Sequence, residues 1–251
     1  TDGTLFCTTQ TKAVYKSTDR GNSWVLNDSG AVITGQTEAL NEFSELQISQ
    51  TFSADQAVFL SAFDGLFIST NGGINWTEKQ TRKNLITGLT FSPNFIDDQR
   101  IIATAYSSEG GFYTSSDKGA TWSIGSVGWP NPSGLPIDGT EVDFVQNHVG
   151  PPLAVATTIG REIGFSSNYG ESWNVFTIAP FPPLSDRVYI NVFALSPAFD
   201  SDQEIYIGTR LHGILHTNDG GINWHNTPDF PLSPHVTSIA VSPNYANDKT
   251  A

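Results

Sequence analysis

Three arginines stand in short turn-like stretches of the sequence: Arg161 in TIGREIG, Arg187 at the end of APFPPLSDR, and Arg210 in TRLHG. Paired guanidinium groups clamp a carboxylate or sulfate through parallel N–H donors. On a surface they also pair with neighbouring acids. Glu162 and His212 adjoin them, and Tyr106 and Glu109 occupy a comparable stretch, YSSEGG. Trp129 lies between Gly128 and Pro130. It offers either a stacking platform for a sugar ring or peptide side chain, or a lid over an apolar seam. His212 has the chemistry of a general acid or base, but no Ser or Cys in a nucleophile motif accompanies it. These eight residues form a candidate binding set, and no residue is assigned a catalytic role.

A second group consists of aspartates at a constant offset after a Ser-Pro or its relic: Asp55, Asp98, Asp202 and Asp248, with Asp97 and Asp200 nearby. A calcium loop needs six or more oxygens from one constellation. One repeated Asp per unit reads more simply as a turn-capping residue. Neither a metal nor a cofactor is expected.

What positions these residues is a repeat. Five octapeptides share the pattern Ser/Thr, any, Asp/Asn, any, Gly, any, any, Trp: STDRGNSW, STNGGINW, SSDKGATW, SSNYGESW and TNDGGINW. They end at Trp24, Trp76, Trp122, Trp173 and Trp224, a period of about fifty residues. In each, the third residue (Asp19, Asn71, Asp117, Asn168, Asp219) accepts backbone N–H bonds as in an Asx-turn. The glycine (Gly21, Gly73, Gly119, Gly170, Gly221) supplies a positive φ. The indole carries apolar area to a seam.

Two alternating apolar runs precede each octapeptide, such as IIATAY with GFYTSS and EIYIGTR with GILHTN. A third run lies before these, as in LTFSP and FALSP, and a few residues after each Trp supply a fourth. Four antiparallel strands cannot bury both faces alone, so such units stack around an axis. The expected fold is therefore all-β: a β-propeller of four-stranded antiparallel blades. It forms a single domain over residues 1–251 or a segment of a longer array. The chain opens on a second-strand pattern (TLFCTT) and closes on an inner-strand pattern (TSIAVSP). Pairing of Thr237–Ser242 with Leu5–Thr8 would then close a five-bladed ring with no open edge, with all five box tryptophans largely buried.

The chain resembles the Asp-box, or BNR-repeat, propellers along essentially its whole length. That superfamily includes sialidases, xyloglucanases, sortilin-type receptors and photosystem assembly factors, so the resemblance implies the scaffold without choosing among them. A sialidase would carry a Phe-Arg-Ile-Pro segment near its N-terminus, which is absent, and six blades in place of the five counted. A xyloglucanase would carry two facing propellers. The resemblance thus implies a binding or docking scaffold ahead of a glycoside hydrolase of the superfamily. Its partner would be a glycan or a protein, met on the rim opposite the octapeptides, where the loops do not repeat.

Composition narrows the partners further. The net charge is −13, which disfavours nucleic acid and anionic membranes, because both are held mainly by Lys and Arg. Cys7 is the single cysteine, so neither an intramolecular disulfide nor a thiolate metal cage can form. No apolar run reaches the length of a membrane span. A surface rich in Ser, Thr and Asn and poor in Lys fits an extracellular or cell-envelope protein.

Overall fold

The computed structural model describes residues 3–9, 13–29, 43–49, 51–62, 65–80, 85–106, 111–130, 137–145, 147–178, 188–227 and 235–251. The alternating apolar runs become strands, and the strands form five antiparallel sheets in chain order. The first blade contains β1 (Leu5–Thr8), β2 (Val14–Ser17) and β3 (Val25–Leu26). The second contains β4 (Phe43–Ile48), α1 (Phe52–Asp55), β5 (Val58–Ala62), β6 (Gly65–Ser69) and β7 (Thr77–Gln80). The third contains β8 (Leu85–Phe91), α2 (Phe95–Asp98), β9 (Ile101–Tyr106), β10 (Phe112–Ser115) and β11 (Ser123–Ile124). The fourth is β12 (Gly139–Phe144), β13 (Ala154–Thr158), β14 (Glu162–Ser166) and β15 (Asn174–Thr177). The fifth is β16 (Ile190–Leu195), α3 (Phe199–Asp202), β17 (Ile205–Thr209), β18 (Ile214–Thr217) and β19 (His225–Asn226), followed by α4 (Tyr245–Asp248).

Each four-stranded sheet pairs its strands in sequence order, and their first strands β4, β8, β12 and β16 pack against one another in turn. Each first strand carries a register shift near its start: Phe43/Glu45, Ile86/Gly88, Gly139/Glu141 and Ile190/Val192. A bulge adds twist and re-aims the side chain that follows it. The molecule is an all-β propeller of five blades.

Seams between blades are filled from both sides. The aromatic residue opening each short helix docks on the blade before it. Phe52 meets Phe6 at 5.8 Å, and Phe199 lies 6.3 Å from Phe165. Phe95 and Phe59 both pack on Phe91 at 4.7 Å. The box tryptophans also lean on the preceding blade, which explains a departure from expectation. Trp76 and Trp173 are buried, and Trp122 and Trp224 are half-buried against core clusters. Trp24 is 41% exposed. Uniform burial of the five indoles was expected. Trp24 departs from it because no described blade packs on that side of the first sheet.

Ring closure by a terminal hydrogen-bonded ladder is not seen among the described residues. The first sheet has three strands, and residues 237–242 belong to no strand and do not pair with Leu5–Thr8. The segment lies instead on the fifth blade. The Val236 N–H donates to Thr209 O at 3.0 Å, and Tyr245 meets Tyr206 edge-on at 6.1 Å. That is the relation α1, α2 and α3 bear to the blades before them.

Candidate functional site

The two rims differ in kind. On one rim the octapeptide turns repeat the same bonds. In the first, the Ser17 hydroxyl donates to Asp19 Oδ1 (2.8 Å) and accepts the Gly21 N–H (2.8 Å), while Asp19 Oδ1 takes the Ser23 N–H (2.8 Å). Ser115 and Asp117, and Thr217 and Asp219, repeat this geometry, and Asn71 and Asn168 supply the same acceptor oxygen. Gly21, Gly73, Gly119, Gly170 and Gly221 all have φ between 78° and 94°. Trp24, Trp122 and Trp224 each donate Nε1–H to the carbonyl of their own box glycine. The Ser23 hydroxyl and N–H and the Ser17 hydroxyl hold the Asp19 carboxyl down to about 2.

The second set of aspartates is used up in the same way. Ser49, Ser92, Ser196 and Ser242 donate their hydroxyls to Oδ2 of Asp55, Asp98, Asp202 and Asp248. The other oxygen of each carboxylate takes a backbone N–H two residues on. These are turn caps. Asp200 instead holds His148 Nδ1 at 2.5 Å and the Val149 N–H at 2.8 Å, tying the fourth blade's loop to the fifth. Among the described residues no group of three or more His, Cys, Asp or Glu side chains is arranged to hold a metal ion.

On the opposite rim, the β9–β10, β13–β14 and β17–β18 loops carry most of the candidate binding residues. Tyr106 is exposed at the end of β9. The β13–β14 loop is pinned by the Ile159 N–H to Asp138 O (3.0 Å), and the β17–β18 loop by the Arg210 N–H to Tyr189 O (2.9 Å). Each bond ties a loop to the backbone leading into its own blade's first strand. Arg161 is half-buried and Arg210 exposed, and among the described residues neither guanidinium makes an ion pair. Ile159 and Leu211 stand exposed beside them. Glu162 turns inward on its own loop, where its Oε2 accepts the Thr158 hydroxyl and the Arg161 N–H. His212 donates its N–H to Thr209 Oγ1 (2.8 Å), and its Nε2 is buried with no hydrogen-bond partner. Arg187 and Glu109 lie outside the described residues.

Trp129 is not on this rim. It is 6% exposed, stacked on Phe112 at 4.2 Å and 5.5 Å from Trp173, within the seam between the third and fourth blades. Gly164 makes room for it, since a Cβ there would meet the indole at 2.6 Å. An exposed platform is thereby excluded, and the seam position is what the structure has.

The inner strands hold a group that the sequence reading passed over. Glu45 on β4 and Glu141 and Asp143 on β12 form one electrostatic group, in which the Asp143 charge raises both glutamates and the Glu45 charge raises Glu141. Glu141 Oε2 accepts the Phe193 N–H of β16 at 2.6 Å, and Asp143 Oδ1 accepts the Thr90 hydroxyl of β8 at 2.9 Å. Burial, together with the neighbouring Asp143 charge, pushes Glu45 up to about 7 against the opposing Gln47 bond. Burial and the charges of Glu45 and Asp143 push Glu141 up to about 8 against the Phe193 bond. Burial likewise raises Asp143. Gly88 permits the close approach of β8 and β12, because a Cβ there would lie 2.8 Å from Glu141 Cα. The available signal was three acids within the inner strands, Glu45 in FSELQI and Glu141 and Asp143 in GTEVDF.

A propeller whose blades turn on Asp boxes is the class that this fold and these turns define. The comparisons agree with a β-propeller that carries Asp-box repeats. The BNR/Asp-box repeat model matches residues 67–78. Among solved structures, YCF48 bound to a D1 peptide is 16% identical, with a TM-score of 0.58 over 90% of this chain and 64% of that one. YCF48 from Cyanidioschyzon merolae is 16% identical, with a TM-score of 0.56 over 90% of this chain and 69% of that one. The GH74 xyloglucanase from Xanthomonas campestris is 16% identical, with a TM-score of 0.60 over 90% of this chain and 37% of that one. The chain therefore spans less than two thirds of the first of these proteins. No curated protein sequence matches it. Likeness at this identity fixes the fold and leaves function to the site.

Proposed function

We propose that the protein is a non-catalytic docking scaffold, working outside the cell or in its envelope, that takes an acidic protein segment across the rim opposite the Asp boxes. The observation that carries this is the pairing of Arg161 and Arg210, free of ion pairs among the described residues, with the exposed Tyr106, Ile159 and Leu211. Tyr106 ends β9 and the other four stand on the β13–β14 and β17–β18 loops, at corresponding positions of three successive blades. Cations interleaved with exposed apolar side chains suit a chain carrying both carboxylates and apolar groups. The Trp129 indole, which would have served a sugar ring as a platform, is covered. YCF48 bound to a D1 peptide is an instance of this fold holding a peptide. An array of acidic, neutral and basic peptides tests the reading. Acidic peptides with apolar residues should be retained, and retention of glycans alone would overturn it.

A second reading rests on Glu141, pushed up to about 8 and so largely protonated near neutrality as a general acid requires, with Glu45 pushed up to about 7. It would make the protein a glycoside hydrolase, the activity carried by the xyloglucanase fold. Turnover of β-glucan oligosaccharides that disappears in Glu141→Gln would establish it in place of the first.

A further inference from the structure

The two arginine-bearing loops are closed by the same residue type in different ways. Thr158 ends β13 and Thr209 ends β17, and both are buried. In the fifth blade the Thr209 hydroxyl accepts the His212 N–H (2.8 Å) and donates to Gly213 O (2.9 Å). Both of those partners are backbone groups, and no acid lies between Thr209 and Gly213. In the fourth blade the Thr158 hydroxyl accepts the Gly160 N–H (3.1 Å) but donates to a side chain, Glu162 Oε2, at 2.5 Å. Glu162 occupies the place in the loop that Gly213 has in the fifth blade.

This acid directly follows Arg161, whose guanidinium makes no ion pair among the described residues. Opposite charges on adjacent residues of a surface loop attract one another. Here the carboxylate is turned away. Its Oε2 also accepts the Arg161 N–H at 3.0 Å, so it lies against the backbone of its own loop. Gly160 leaves room for it, since a Cβ there would collide with Glu162 Oε2. The Arg161 carbonyl accepts the Ile178 N–H at 2.8 Å, which holds the backbone at this residue from the other side.

We propose that Thr158 and Gly160 are positioning residues that sequester the Glu162 carboxylate and so keep the Arg161 guanidinium available to an acidic partner. The partner is the one that the docking reading supplies, whereas the sequestration is a property of the free protein. Held this way, the carboxylate keeps two charge-assisted hydrogen bonds, from the hydroxyl and from the Arg161 N–H, without drawing on the guanidinium. Arg210 needs no such device, because its loop carries no acid.

Two measurements on Thr158→Val, which removes the hydroxyl and keeps the shape of the side chain, test this. In the free protein, phenylglyoxal labelling of Arg161 should slow, read by peptide mass spectrometry with Arg210 as internal reference. With a fluorescent peptide of alternating glutamate and leucine as the probe, affinity should fall by about tenfold, as for loss of one hydrogen bond to a charged group. Glu162→Gln in the same background removes the competing charge and should restore both labelling and affinity. Loss of loop shape alone would not be repaired in that way. Thr158→Ser keeps the hydroxyl and should retain both. Gly160→Ala displaces the carboxylate without touching the buried threonine, should reproduce both effects, and carries the test if Thr158→Val does not fold. Unchanged Arg161 labelling in Thr158→Val and Gly160→Ala, or lost affinity that Glu162→Gln does not restore, would overturn the sequestration. Labelling that follows the expected pattern in a wild-type protein that does not bind the probe would uphold the sequestration and count against the docking reading.

Discussion

At the scale of single residues, the same tryptophan in the same motif does different energetic work according to what lies before it. Trp173 is 6% exposed, and its Nε1–H reaches Gly125 O (2.7 Å) in the third blade as well as its own Gly170 O (3.1 Å). Trp24 has its own Gly21 carbonyl and solvent over much of its ring. Urea unfolding should therefore show a loss of about 3–5 kcal/mol for Trp173→Ala, the usual cost of emptying a buried aromatic site. Trp24→Ala should cost about 1 kcal/mol or less, as at exposed positions. Equal losses would mean that the motif, and not its neighbour, sets the contribution. The octapeptide was plain in the sequence because its bonds are local: Ser17, Asp19 and Gly21 satisfy one another within a single turn. Exposure of Trp24 was not legible, because it depends on a contact about fifty residues away along the repeat.

Among the elements, the inner strands carry the molecule's least ordinary electrostatics. Glu45 and Glu141 titrate near 7 and 8 in the fold against 4.5 when free. A group whose folded pKa is raised favours folding while it holds its proton in the native state. That contribution is complete below about 4.5 and is lost as pH rises through 7 and 8. Asp19 and Asp219, lowered to about 2, act oppositely, but their contribution is lost only as pH falls below the ordinary carboxylate range. Between pH 5 and 9 the inner strands decide the sign. Melting temperature should fall by about 5 °C or more across that interval, given about 2–4 °C per kcal/mol for a chain of this size. Glu141→Gln should flatten most of the slope. A melting temperature that rises or stays level would show that β4, β8 and β12 do not hold these carboxyls as described. These acids were easy to pass over in sequence, where Glu45 and Glu141 look like solvated strand positions. The bulges after Phe43 and Gly139 and the absent side chain of Gly88 bring the strands together. Sequence periodicity does not report a bulge.

For the whole molecule, one rim is built by repetition and the other by variation, and that contrast was legible from the octapeptides and the irregular loops between them. Which loop residues face outward was not. Glu162 reads as a free acid beside Arg161, yet it caps its own turn, and Trp129 reads as a loop indole, yet Gly164 admits it to a seam. Nothing in the sequence marks Ile159 and Leu211, because single exposed aliphatic residues are common on protein surfaces. Their meaning comes from standing beside arginines without ion pairs among the described residues, on pinned loops of adjacent blades. The most direct test of the docking account is titration of Arg161→Ala/Arg210→Ala with an acidic, apolar-bearing peptide retained by the wild-type protein. Affinity should fall by about a hundredfold or more, as for loss of two charge-assisted contacts, with the melting temperature within about 2 °C of wild type. Binding that survives the double change but is lost when the Asp-box rim is altered would put the partner on the other face and contradict the account.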